Sequence, residues 1–365
     1  TNGVDKIKVQ ADGHIDITPN TDFGAGIDVT GAITGTTDAT INGVTVGKGA
    51  NSVSGNTVLG ESALDASVSG GSNTAIGKSA LTTLTSGTSN TAVGLESLEA
   101  NTTGAHNTAV GVRALEANTT ANENTAIGRS AMFSNTTGAS NTAVGRSALK
   151  QNTTGANNVA VGSNTLDANT TGSNHIAIGN EALAANTTGS DNLAIGYSTL
   201  QKNTTGIRNV GVGSNTLEDN VDGNYNVAVG YDALREATAS NNTGVGFEAL
   251  KNNTTGVKNV AVGANALDAN TTGNNNTGIG FNSLTATTTG SDNTGLGSQT
   301  LEANSTGVNN VAIGVQALEA NTTASNNTAL GFVALTTNTT GHSNVALGSQ
   351  SLQLNTTGDF NVALG

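Results

Sequence analysis

The chain has 365 residues, of which 49 are Gly and 2% are aromatic, with one Pro and neither Cys nor Trp. So few large side chains exclude the single core that a globular domain of this length builds, and the lack of Cys excludes disulfides and thiolate metal sites. A formal charge of −13, from 26 acids against 13 bases with no long run of either sign, excludes the basic surface that nucleic acid requires and suits a long soluble surface. No apolar stretch approaches the ~20 residues of a membrane span, and no signal peptide is visible. A chain that starts at Thr1 without Met reads as a processed or trimmed piece.

Residues 1–55 carry no repeat. They contain alternating stretches such as Ile15-Asp16-Ile17-Thr18, the run from Ile27 to Gly35, and a Gly-punctuated run from Ile41 to Gly49. These predict short β-structure that caps or anchors whatever follows.

From residue 56 to 365 the sequence keeps a clock. The Gly that closes each Asn-Thr-Ala-Val-Gly-like motif falls at Gly60, Gly77, Gly94 and so on to Gly365, in steps of 17 residues; only the step from Gly230 to Gly246 is 16. Four residues after each motif Gly stands Leu, with Met132 the single replacement, and Met fills a Leu-shaped space. The residue just before it is always Val, Ile or Leu. Four before it stands Asn, with His175 the exception. Asn-x-Ala-Val-Gly is too short for a helix and alternates with period two, so it predicts a strand. Its Val/Ile position and the residue two before are expected to point into a core that the Leu closes. Asn-Thr-Thr-Gly is turn chemistry. Two short strands and two turns then make one coil of an all-β parallel solenoid, with Val/Ile and Leu columns inside and an Asn ladder at a corner. A helical solenoid is disfavoured, because 17 residues are too few for two helices. At ~4.8 Å per coil the repeats span roughly 90 Å. One Leu, one Val or Ile and several Ala per coil make a thin core, so a homotrimer sharing an axial core is expected. The chain stops on a motif Gly with no capping sequence, and the natural protein is expected to continue.

Catalytic and metal sites are not expected. His14, His106, His175 and His342 sit at different phases of the repeat. The acids five after the motif Gly (Asp65, Glu99, Glu116, Asp167, Glu218, Asp268, Glu302 and Glu319) share their column with Lys150, Arg235 and Phe133, and read as a solvated face. The residue just after the motif Gly is Tyr197, Tyr231, Phe247, Phe281 or Phe332 in five coils. Such a column stacks on sugars or marks a partner contact, and inter-chain packing in a trimer is preferred. The Asn-Thr-Thr triplets match glycosylation acceptors, which turn formation alone explains. Ice binding is not expected without a strict Thr-x-Thr strand.

Asn-x-Ala-Ile/Val-Gly followed by x-x-Ala-Leu resembles the head repeats of trimeric autotransporter adhesins, which are parallel β-rolls with a shorter repeat. The fuller pattern, as in Asn141-Thr142-Ala143-Val144-Gly145 through Asn152-Thr153-Thr154-Gly155, is still more similar to repeats in bacteriophage tail fibres, and the Ile27–Gly35 run to linkers in such fibres. The resemblance implies an extracellular, non-enzymatic, cofactor-free homotrimeric shaft on a virion or cell surface that presents a receptor-binding region. The alternative is a bacterial adhesin whose solenoid itself binds a host, matrix or glycan partner. A polysaccharide-active enzyme on a β-helix is the third reading, and the recurring carboxylates it needs are missing.

Overall fold

A computed structural model describes residues 7–9, 15–17, 38–41 and 43–365. The chain forms two compact units, Thr1–Thr37 and Asp38–Gly365. In the first, β1 (Ile7–Val9) pairs antiparallel with β2 (Ile15–Ile17), Ile7 opposite Ile17. The Ile27–Gly35 run lies outside the described residues.

The second unit begins with a hairpin, β3 (Ala39–Ile41) and β4 (Val44–Gly47), and β4 pairs antiparallel with β5 (Thr57–Gly60). Asp38 pins the hairpin exit by accepting hydrogen bonds from the Lys48 and Gly49 amides. The Ala50 amide then donates to the Leu64 carbonyl, so the segment folds over the first core Leu. Residues 38–55 therefore belong to the same unit as the repeats.

After β5 every coil contributes one three-residue strand, from Thr74–Ile76 to Val362–Leu364, each parallel to its neighbours and offset by one repeat. Thr142, Ala143 and Val144 face Val159, Ala160 and Val161 on one side, and Thr125, Ala126 and Ile127 on the other. The unit is thus a parallel β-solenoid of 17-residue coils.

Two expectations about the coil are corrected. It holds one strand, not two: the x-x-Ala-Leu stretch is a run of turns. Its core side is also the opposite one. From Thr74–Ile76 to Val345–Leu347 the middle residue of each strand, Ala or Gly, is buried, while the residues flanking it face outward. Leu149 and its column equivalents fill the cross-section, with Ala148 and Ala143 beside them, and only the first coil places a larger residue, Val58, at the inward strand position. Period-two alternation identifies a strand without saying which parity is inside. The Val/Ile column therefore runs down the outer face.

Two Asn ladders occupy the rest of the interior. The expected one, four before each motif Gly, is buried from Asn56 to Asn344: Asn141 Oδ1 accepts from the Asn158 amide at 2.9 Å, and Asn158 Nδ2 donates to the Gly172 carbonyl at 3.0 Å. The second is built from the Asn-Thr-Thr residues. Asn152 Nδ2 donates both to Asn135 Oδ1 at 2.7 Å and to the Gly155 carbonyl at 2.9 Å. A buried amide with its donors and acceptor matched adds to stability, whereas an unmatched one costs about 1–3 kcal/mol.

Each regular coil also holds three residues in the left-handed region, exemplified by Ser147, Leu149 and Asn157 at φ 57°, 53° and 58°. For non-Gly residues such backbone costs of order 1–2 kcal/mol apiece, and the inter-coil bonds hold it in place. The motif Gly is stricter. At Gly162 φ is +138°, and an added Cβ would meet the Gly179 carbonyl oxygen at 2.5 Å.

Candidate interaction face

Because the strand parity is reversed, two uncharged columns share the outer face of the sheet, one wholly aliphatic and the other Thr at ten of its nineteen positions. One holds the residues before the motif Gly, such as Val161, Ile178, Ile195 and Val212; the other holds residues two earlier, such as Val159, Ile176, Leu193 and Val210. Only Thr, Val, Ile and Leu occur in these columns from Thr57 to Leu364. They are half-buried to exposed in every coil, with Ile176 at 45% and Leu330 at 46% within the stack and Leu364 at 74% in the last strand. The first and third residues of each strand point outward, so the face is flat, uncharged and regular at the strand spacing.

The five aromatics border this face. Tyr197, Tyr231, Phe247, Phe281 and Phe332 are each 50–56% exposed. Tyr231 and Phe247, in adjacent coils, stack with centroids 5.8 Å apart and planes 12° from parallel. The other three stand two or more coils from the nearest of the five, with Ser214, Ala264, Ser298 and Val315 between. Leu95, Val112 and Val315 extend the same column with aliphatic side chains. Sequence reasoning found this column but missed the wider apolar face beside it.

The acidic column is less solvated than expected. Most of it is half-buried, and burial pushes the carboxyls of Asp167 and Asp268 up from the ordinary range. Ion pairs run mostly from coil to coil, as in Lys78–Glu61 at 3.1 Å and Arg235–Glu218 at 3.3 Å. Three carboxylates, Glu96, Glu99 and Glu116, converge within 4.8 Å. Arg113 pairs with two of them, Glu96 at 3.2 Å and Glu116 at 2.5 Å, and its guanidinium lies 4.9 Å over the Phe133 ring. The arrangement is an ion-pair network around a resident cation.

The described histidines do not cluster. His106 is exposed, and His342 pairs with Asp359 and meets the Phe360 ring edge-on at 5.0 Å. His175 is buried in the Asn ladder. Its Nε2 is 2.7 Å from the Gly189 carbonyl and its Nδ1 accepts from the Asn192 amide at 3.3 Å, so the ring reproduces both bonds of the Asn it replaces. Burial lowers its pKa.

The Asn-Thr-Thr triplets are closed to glycosylation along the stack. The Asn Nδ2 that would carry a glycan is buried and bonded twice, as at Asn169. The first Thr hydroxyl donates to the next coil, as Thr153 does to the Thr170 carbonyl at 3.0 Å.

No helix among the described residues is long and apolar enough to cross a membrane. Comparisons with protein-family models, curated proteins and solved structures find no match to this chain.

Proposed function

We propose that this chain is the shaft of a homotrimeric surface fibre, of the phage tail-fibre kind, which holds a receptor-binding region away from the particle that bears it. The reading assigns the chain no reaction and no cofactor, and places it outside the cell. The uncharged outer face carries the proposal. A monomer in water rarely leaves so long an apolar strip uncovered. The partner whose side chains repeat at the same interval along the full strip is another copy of the chain. Three copies enclose the strip about an axis and add the second core that a thin coil lacks.

Sedimentation equilibrium of the chain tests this, with Ile178→Lys and Val212→Lys as companions. The expected result is a trimer that the two charged variants break into folded monomers. A wild-type chain that sediments as a monomer overturns the proposal.

The alternative is a cell-surface adhesin whose solenoid itself binds a partner. The exposed aromatic column favours it, because protruding Tyr and Phe beside a flat face suit sugar rings. Tyr231→Ala with Phe247→Ala separates the two: loss of assembly supports packing, and loss of cell or glycan attachment with assembly intact supports adhesion.

A further inference from the structure

Thirteen basic residues are scattered through an acidic chain, and three of them meet at one place. Arg129, Arg146 and Lys150, with Ser130 and Ser147, line a concave pocket of about 280 Å³. The two arginines occupy the same position in successive coils, just after Gly128 and Gly145, which sets them about 4.8 Å apart at the backbone. Lys150 follows Leu149 in the second of those coils and is half-buried. Lys78, Arg113, Lys202, Arg208, Arg235 and Lys251 all have carboxylate partners. Among the described residues, Arg129, Arg146 and Lys150 have none within ion-pair distance. Three cations without a direct carboxylate partner, held side by side, repel one another, and nothing in the core packing requires them.

We propose that this pocket binds the anionic substituent of a sugar, a carboxylate, sulfate or phosphoryl group on one glycan residue. Two guanidiniums lining one pocket offer forked donors that suit the planar or tetrahedral oxygens of such a group. Lys150 adds a point charge, and the serine hydroxyls add short donors for ring hydroxyls. The positive region spans only two coils. Glu116 stands in the preceding coil, and Asp167, close enough to feel both Arg146 and Lys150, in the following one. A continuous polyanion such as nucleic acid would run from the pocket into these acids. A flat bilayer headgroup plane does not enter a concavity. One charged group on an otherwise neutral chain does. The volume lies just under the ~300–1,000 Å³ of drug-sized sites and accommodates a single substituted ring.

The inference extends the surface-fibre reading, and the two fail separately because one is read by binding and the other by assembly. The full chain is titrated by calorimetry with 3′-sialyllactose and with N-acetylglucosamine 6-sulfate. Lactose and inorganic phosphate at matched ionic strength are the controls. At least one anionic sugar is expected to bind, lactose not at all, and phosphate more weakly than the sugar. Arg146→Ala and Lys150→Ala each weaken binding about tenfold, and Arg129→Lys does so with its charge retained. Sedimentation of the same variants is unchanged. Phosphate binding as tightly as either sugar, failure of both anionic sugars, or undiminished binding in Arg129→Ala/Arg146→Ala overturns the proposal. So does loss of assembly in that double variant, which would make the cations part of a chain–chain contact.

Discussion

Asn270 Oδ1 and Thr287 Oγ1 are buried without hydrogen-bond partners. They mark one of the points where the second Asn ladder is broken, since Thr287 stands where the repeat calls for Asn. A Thr hydroxyl is too short to span to the neighbouring amide. Thr287→Asn supplies an Nδ2 for both Asn270 Oδ1 and the Gly290 carbonyl, as Asn152 does for Asn135 and Gly155. It is expected to stabilise the chain by about 1 kcal/mol, read as a higher urea midpoint; a lower midpoint would mean the extra volume outweighs the bonds. His175 makes the opposite kind of prediction. Its folded pKa lies below the ordinary value of about 6.5, so the unfolded chain holds more protons in the window between the two. Its contribution is whole above about pH 6.5 and is lost as pH falls through that window, with Asp191 the one charged group that opposes the loss. His175→Asn keeps both ladder bonds and does not titrate. The difference in stability between variant and wild type should therefore grow as pH drops from 7 toward 5, and a constant difference would refute the assignment.

At the scale of the coil, core volume is shared between the strand and the following turn. Gly211 replaces the usual inward Ala, and a Cβ there would meet Thr199 Cγ2 at 2.6 Å and Thr216 Oγ1 at 3.2 Å. Both Thr residues replace the smaller Ala of other coils. Gly211→Ala is expected to cost about 1–3 kcal/mol by overpacking, and Thr199→Ala in the same chain to recover much of it. Additive effects in the double-mutant cycle would show that the sites do not share the space. This trade explains how much of the coil was legible beforehand. Repeat length, strand position, the Leu column and one Asn ladder follow from spacing, because a stacked structure needs each residue type at a fixed phase. The inward parity did not follow, since Thr142-Ala143-Val144 alternates equally well either way and the larger residues suggested the wrong side. The second ladder was hidden because Asn152-Thr153-Thr154-Gly155 reads as an ordinary turn. The left-handed backbone at Leu149 leaves no trace at all in an aliphatic residue type. The aromatic column was visible from its phase, whereas the basic pocket combines Arg129, Arg146 and Lys150 from two phases that only the coil geometry brings together.

At the scale of the whole repeat unit, each coil touches only the coils beside it, so stability is a sum of local terms and the weakest interface shows. That interface lies at the 16-residue coil between Gly230 and Gly246. The strand register survives the missing residue, with Val227 opposite Thr243. The second ladder does not: Ala237 takes the place of Asn, and Asn220 Oδ1 is left buried without a partner. Hydrogen exchange followed by mass spectrometry is expected to show a minimum of amide protection over residues 230–246 relative to the coils on either side. Uniform protection through this segment would argue that the turn repacks without loss.

That same coil has an evolutionary consequence. Its missing residue falls in the turn between Ala237 and Ser240, where the chain drops one residue and the strands keep pairing. Deletion or duplication of a whole coil is gentler still, since it joins two surfaces that already match. Replication slippage in a gene this repetitive would therefore yield folded products in steps of about 4.8 Å. Solenoid length becomes a heritable trait that selection can adjust one notch at a time, with no change at either end.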